Sequence, residues 1–159
     1  MIILVPCRSL SSGKSRLAKC LGVAHRRKLC DYFLRRTLGL AVAVVGSENV
    51  LLVTSDSAAA DIAKAFLVRR FLDKGYGLNL ALENARNHLF KEGFSSARLM
   101  ILPTDIPYAT SDALSEVARS AADVVINMDE SGSGTNLLVL SGEGNQLPFS
   151  FGLDSLATH

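Results

Sequence analysis

The stretch VLLVTSDSAAADIAKAFLVRRFL, residues 50 to 72, decides the fold. Val50 to Val53 is an unbroken apolar run of the kind that forms a strand covered on both faces. Ser57 to Phe66 is Ala-rich and reads as a helix, and Val68 to Leu72 returns to strand-forming residues. A strand, a helix and a second strand in so short a span is the rhythm of a parallel sheet, because parallel neighbours need a crossover between them.

The same rhythm extends in both directions. Towards the start, Ile2 to Val5 is a second buried-strand run, and the polar loop Arg8 to Gly13 follows it. From about Ala24 to Val45, Leu29, Phe33, Leu34, Leu38 and Val42 recur at three and four, which marks an amphipathic helix whose Arg and Lys residues are expected to face outward. Towards the end, Leu78 to Lys91 reads as a helix, Ala97 to Leu102 as a buried strand, Asp112 to Ser120 as a helix and Asp123 to Asn127 as a strand. Residues 135 to 140 add a final β run. The expected architecture is a three-layer α/β/α sandwich on a mostly parallel sheet, with ligands bound at loops leaving the carboxyl ends of the strands.

Bulk composition bounds the function. A chain of 159 residues with 48% apolar and 20% charged residues folds as one domain, spanning 1 to 159. Its longest apolar runs fall short of the roughly 20 residues that cross a bilayer, and Met1 to Pro6 enters a strand without a basic leader, so the expected compartment is the cytoplasm. Cys7, Cys20 and Cys30 match neither redox nor zinc spacings and are expected as free thiols. Residues 1 to 50 hold nine Lys or Arg against two acids, and the remainder eight against thirteen, so the first third is +7 and the rest −5. Several of these bases lie at helical spacing between His25 and Arg36, which reads as a solvated face rather than as a surface for nucleic acid.

Four loops carry candidate chemistry. In Leu10-Ser11-Ser12-Gly13-Lys14-Ser15-Arg16-Leu17, small residues let the backbone approach an anion, and Lys14 and Arg16 supply charge. A P-loop would need Gly where Arg8 stands, so that motif is rejected. The alternative is a plain helix start capped by Ser11 or Ser12. In Leu102-Pro103-Thr104-Asp105-Ile106-Pro107, two prolines restrict the backbone around Asp105, a carboxylate suited to Mg²⁺ or, alternatively, to a turn. The third loop, Asp73-Lys74-Gly75-Tyr76-Gly77-Leu78-Asn79, offers two glycines for close approach and an amide for base or ribose recognition, though such glycines also serve ordinary turns. The fourth pairs Gly132-Ser133-Gly134-Thr135-Asn136 with Phe149 to Ser155, whose amides and hydroxyls suit a phosphate or carboxylate; a flexible hairpin and a terminal strand explain them as well. His25, His88 and His159 have no partner at metal or triad spacing, which argues against histidine catalysis.

Taken in order, Ile3-Leu4-Val5-Pro6, Gly13-Lys14-Ser15-Arg16-Leu17, Asp73 with Gly75-Tyr76-Gly77-Leu78-Asn79, Pro103 to Pro107, Gly134-Thr135-Asn136 and Phe151-Gly152 with Ser155 and His159 form a series. Over the whole chain this series resembles the 2-phospho-L-lactate guanylyltransferase family of coenzyme F420 biosynthesis. The resemblance implies a Rossmann-like nucleotide-diphospho-sugar transferase fold and transfer of GMP from GTP, with Mg²⁺, to 2-phospholactate, phosphoenolpyruvate or 3-phosphoglycerate, releasing pyrophosphate. It implies that Lys14 and Arg16 contact the GTP phosphates beside Ser12 and Gly13, and that Asp73, Gly75, Gly77 and Asn79 line the nucleotide side. It also implies that Asp105 binds metal and that Thr135, Gly152 and Ser155 hold the phosphorylated acid. Arg8 departs from the family's more common Lys, and family members usually continue for several tens of residues with a further acidic metal ligand. A binding module for GTP or phospho-acids is therefore the alternative function, and a homodimer the expected assembly.

Overall fold

The computed structural model describes every residue except Ser12, Lys14, Ser131, Leu153, Asp154 and residues 156–159, and gives Ser15 and Arg16 by their backbone alone. Six strands form one sheet: β1 (Ile2–Pro6), β2 (Val50–Thr54), β3 (Arg69–Leu72), β4 (Leu99–Ile101), β5 (Val124–Met128) and β6 (Thr135–Leu140). Their order is β3-β2-β1-β4-β6-β5, parallel from β3 to β4, with β6 antiparallel to both of its neighbours.

The two-residue period of a strand sends alternate side chains to opposite faces, and both faces are covered. Ile3 and Val5 of β1, Leu52 of β2 and Met100 of β4 meet α1 (Val23–Val45), α2 (Ser57–Ala65) and α4 (Ser111–Arg119) through Leu34, Leu38, Ile62 and Leu114. Ile2, Leu4, Leu51, Val53 and Ile101 face α3 (Leu78–Leu89) through Ala81, Leu82, Ala85 and Leu89, together with Phe149. Each such Leu or Ile contributes about 1.5–3 kcal/mol by burial. Leu52→Asp, at the fully covered centre of β2, would therefore undo the sandwich. Only β3, at one edge of the sheet, alternates between half-buried and exposed positions.

The predicted elements are all present, with ends shifted by a residue or two. Three local differences have physical causes. The final β run, whose direction the sequence left open, is antiparallel: Asp129 to Gly134 is too short for a crossover, so β6 turns back as the hairpin offered above as an alternative and slots between β4 and β5. Asp129 closes that hairpin, its Oδ1 accepting from the amides of Ser133 at 3.1 Å and Gly134 at 3.0 Å. The helix expected to reach Lys91 widens in its last turn, Phe90–Phe94, and breaks at Gly93, whose φ of +94° no helix continues. The third difference is Arg36, expected on the outer face of α1. It is half-buried, and its guanidinium donates to the carbonyls of Ala109 at 2.5 Å and Ile106 at 3.4 Å. At the end of α2, Leu67 holds a left-handed conformation with φ +57° although 80% of it is exposed. Among the described residues no helix is long and apolar enough to cross a membrane.

Candidate active site

Two neighbouring pockets lie at the carboxyl ends of the strands, the two halves of a candidate cleft, and Pro6, Cys7 and Arg8 at the end of β1 line both. Towards β3 the wall is Val53, Asp73, Gly75, Gly77, Leu78 and Ala81. Towards β4 it is Ser9, Gly13, Cys30, Phe33, Thr104 and Asp105. Of the site residues expected from sequence, Asp73, Gly75 and Gly77 thus line one half and Gly13 and Asp105 the other.

The loop after β1 is shaped by contacts that local sequence does not announce. Cys7 prolongs the β1–β2 pairing through its amide, which donates to the Val53 carbonyl at 2.9 Å. Asp56, at the end of β2, caps α2 by accepting from Ala58 at 2.8 Å and Ala59 at 3.2 Å with one oxygen. Its other oxygen accepts from the Leu10 amide at 2.9 Å and the Ser9 hydroxyl at 3.2 Å. Burial pushes this carboxyl up, but the amides of Leu10, Ala59 and Ala58 and the Ser9 hydroxyl outweigh it and hold its pKa below the ordinary value. Gly13 is required by space: a Cβ there would lie 2.7 Å from Cys30 Sγ and 2.9 Å from the Ser9 carbonyl. The Cys7 thiol is pushed up to about 12, first by burial and then by the neighbouring Asp56 and Cys30, so at neutral pH it is a protonated wall residue and no nucleophile.

On the β3 side, Asp73 Oδ1 accepts from the Gly75 amide at 2.9 Å, folding the loop around its own carboxylate. Gly75 (φ +83°) and Gly77 (φ +108°) take conformations that side chains rarely adopt, and they bring the chain round into the first turn of α3. Asn79, in that turn, accepts from the Phe151 amide at 2.8 Å and donates to the Phe151 carbonyl at 3.1 Å. One donor and one acceptor position of the amide expected to read a base or ribose are therefore engaged by the chain itself.

On the β4 side, Asp105 is exposed, in the loop three residues beyond the buried Leu102. Arg36 of α1 ties down the carbonyls of the loop that carries it. At the same end of the sheet, Thr135 opens β6 and its Oγ1 accepts from the Ser155 hydroxyl at 3.0 Å, so two of the three residues expected to hold the acid are in contact. Ser155 is buried and Gly152 exposed. The roles expected of Ser12 and Lys14 and of the Arg16 side chain, and the place of His159 in the series, fall outside the described residues.

Sequence reasoning missed Asp56, Arg36, Glu83 and Arg86. Asp56 had a legible signal, an Asp immediately after a strand and just before Ser-Ala-Ala at a helix start. Arg36, Glu83 and Arg86 act across long sequence separations and had none.

A parallel α/β sheet with one antiparallel insertion, carrying a cleft of glycine loops and an acidic loop over its strand ends, is the fold of nucleotidyltransferases. It superposes on a cytidylyltransferase from Leptospira borgpetersenii with TM-score 0.60 at 15% identity, covering 99% of this chain and 67% of the other. It also matches 4-diphosphocytidyl-2C-methyl-D-erythritol synthase with TM-score 0.60 at 14% identity, covering 99% and 83%. At those identities the likeness is one of fold. The chain belongs to the CofC-like guanylyl transferase family, whose model matches residues 1–159. It is 38% identical over 159 residues to the phosphoenolpyruvate guanylyltransferase of Rubrobacter xylanophilus, covering 98% of this chain and 76% of that protein. It is 27% identical over 162 residues to the 2-phospho-L-lactate guanylyltransferase of Methanosphaera stadtmanae, covering 100% and 69%.

Proposed function

We propose that the chain transfers GMP from GTP to the phosphate of a small phosphorylated acid, phosphoenolpyruvate, 2-phospholactate or 3-phosphoglycerate, in coenzyme F420 biosynthesis. The observation that carries this reading is the pair of pockets that share Pro6, Cys7 and Arg8 at the end of β1, one walled by Gly75 and Gly77 and the other by Gly13 and Asp105. The glycine loop after β3, with Asp73, Gly75, Gly77 and Asn79, takes the guanosine side. Ser12, Gly13, Lys14 and Arg16 take the triphosphate, and Thr135, Gly152 and Ser155 take the acid. Arg8, between the two halves, is placed to neutralise whichever phosphate lies above the end of β1.

An oxygen of the acceptor phosphate attacks the α-phosphorus of GTP, the bond from that phosphorus to the bridging oxygen breaks, and pyrophosphate leaves with the electron pair. The attacking oxygen is already anionic, so no side chain has to remove a proton. What the chain must supply is alignment of two mutually repelling anions and positive charge between them.

The donor set fits Mg²⁺. Asp105 is an exposed carboxylate on the cleft wall, and among the described residues no group of three or more acidic, His or Cys side chains forms a self-sufficient metal cage. A single carboxylate completed by phosphate oxygens and water is a common Mg²⁺ environment. When bound by Asp105, the ion would supply charge neutralisation between the two phosphates. The open edge of the sheet at β5 supports the expected homodimer, which sedimentation velocity would check, and the cytoplasm is the proposed compartment.

Pyrophosphate release from GTP and Mg²⁺ with each of the three acids tests the reading. Release with one acid names the substrate, and Asp105→Ala should then lower turnover about a thousandfold with an unchanged thermal midpoint. Unchanged turnover in that variant would remove Asp105 from the site. Saturable GTP binding with no release by the parent chain would replace the enzyme with a binding module.

A further inference from the structure

We infer that Glu83, which lines neither half of the cleft, is a positioning residue that sets where the phosphorylated acid is held; this rests on Thr135, Gly152 and Ser155 being the acid's site. Residues 147–151 lie along α3 with alternate residues bonded to it. The Leu147 carbonyl accepts from Arg86 Nη1 at 2.6 Å, the Phe149 amide donates to Glu83 Oε1 at 2.9 Å, and Phe151 exchanges two hydrogen bonds with Asn79.

The spacing is that of an extended chain against a helix. Two residues of extended chain advance about 6.6 Å, and three to four residues of helix rise about 4.5–6 Å, so contacts 147, 149 and 151 can meet 86, 83 and 79 in one antiparallel register. Glu83 is central to it. Its second oxygen binds the guanidinium of Arg86, which is buried and lies 4.7 Å from the centre of the Phe149 ring. Without Glu83, the Phe149 amide loses its acceptor and the buried Arg86 charge loses its counter-ion.

The register has a direct consequence at the site. Gly152 follows Phe151 immediately, and Ser155 three residues later reaches Thr135 of β6. The acid's two walls therefore come from β6 and from a segment whose position α3 dictates. The same helix begins at Gly77 in the nucleotide half of the cleft.

Steady-state pyrophosphate release with GTP and phosphoenolpyruvate tests this on the whole chain. Glu83→Ala should raise the KM for phosphoenolpyruvate about tenfold or more and leave the KM for GTP within about twofold. Glu83→Gln keeps an oxygen for the Phe149 amide but removes the counter-ion of Arg86, so it should raise the KM for phosphoenolpyruvate less than Glu83→Ala does and leave the KM for GTP within about twofold. Equal rises in both KM values, no rise for phosphoenolpyruvate, or a Gln variant as damaged as the Ala variant would each overturn the inference. Should Glu83→Ala fail to fold, amide exchange in the parent decides: phosphoenolpyruvate should slow exchange at Phe149 and Phe151 severalfold, and unchanged rates overturn it. Thr135→Val separates the two readings. If it leaves the KM for phosphoenolpyruvate unaltered, the acid site itself is misassigned; if it raises that KM and Glu83→Ala does not, only the positioning role fails. A parent chain that neither turns over nor binds phosphoenolpyruvate overturns both.

Discussion

The two sides of the cleft are fastened by different means. The loop after β1 hangs directly from a buried strand and is pinned by one carboxylate, Asp56, at the end of the neighbouring parallel strand. The segment leading to Gly152 and Ser155 leaves no adjacent strand behind it, and is held by three side chains on one face of α3, 61 to 72 residues away in sequence. The first arrangement takes its precision from the sheet; the second takes it from a helix register. A site wall built off a strand end meets the helices at single points, among them the α2 cap and Cys30 of α1. One laid along a helix inherits every change in that helix.

The largest effect that would test this contrast is steric. Gly13→Val pushes a side chain into Cys30 Sγ and the Ser9 carbonyl. It should lower kcat/KM for GTP about a hundredfold while costing only about 1–3 kcal/mol of stability, seen in paired kinetics and urea titrations. A large stability loss with intact kinetics would mean the strand-borne wall tolerates displacement, and the comparison would break. Asp56→Ala comes next. It removes the α2 cap and both fastenings of the loop, and should cost about 2 kcal/mol in urea unfolding, with the KM for GTP rising more than the KM for the acid.

The pH dependence of that cost sharpens the point. Asp56 has a folded pKa below the 3.8 of the unfolded chain, so its contribution is complete above about pH 4 and is lost as pH falls through the lowered folded value. The stability gap between the parent and Asp56→Asn should therefore be constant from pH 7 to about 5 and close below pH 4. A smaller gain is expected at Leu67→Gly, which relieves the left-handed backbone at the α2 terminus and should raise stability by up to about 1 kcal/mol without touching kinetics. Least of all, Cys7→Ala should leave kcat within about twofold, because a protonated thiol contributes only packing.

What was legible in the sequence follows the same division. The runs at Ile2 to Val5 and Val50 to Val53 announce central strands because both sheet faces are covered, and the loops after them announce a cleft because ligands collect at such strand ends. Gly13, Gly75, Gly77 and Asp105 could thus be picked out from position alone. The antiparallel turn of β6 was legible too, as the hairpin that Gly132 to Asn136 offered beside a binding role, and the shortness of Asp129 to Gly134 is its physical reason. Arg36 was misread because its charge suggested solvent, whereas a long side chain can bury its stem and give its donors to carbonyls across the layer. Glu83 and Arg86 carry no local signal at all: a Glu and an Arg three apart on a helix look like an ordinary surface pair until the chain from Leu147 to Phe151 is laid over them.

The insertion of β6 between β4 and β5 also governs the order of assembly. β5 emerges first in the chain yet has no partner of its own in the parallel part of the sheet, so it cannot join until β6 has paired with it and with β4. Until then the far edge of β4, Leu99 to Ile101, is an open ladder of apolar residues, the kind of surface that recruits another unfinished chain. The β5–β6 hairpin should therefore dock as a unit and late. A mutation that weakens the Asp129 turn would then show itself first as aggregation during refolding, before any loss in the finished enzyme's turnover.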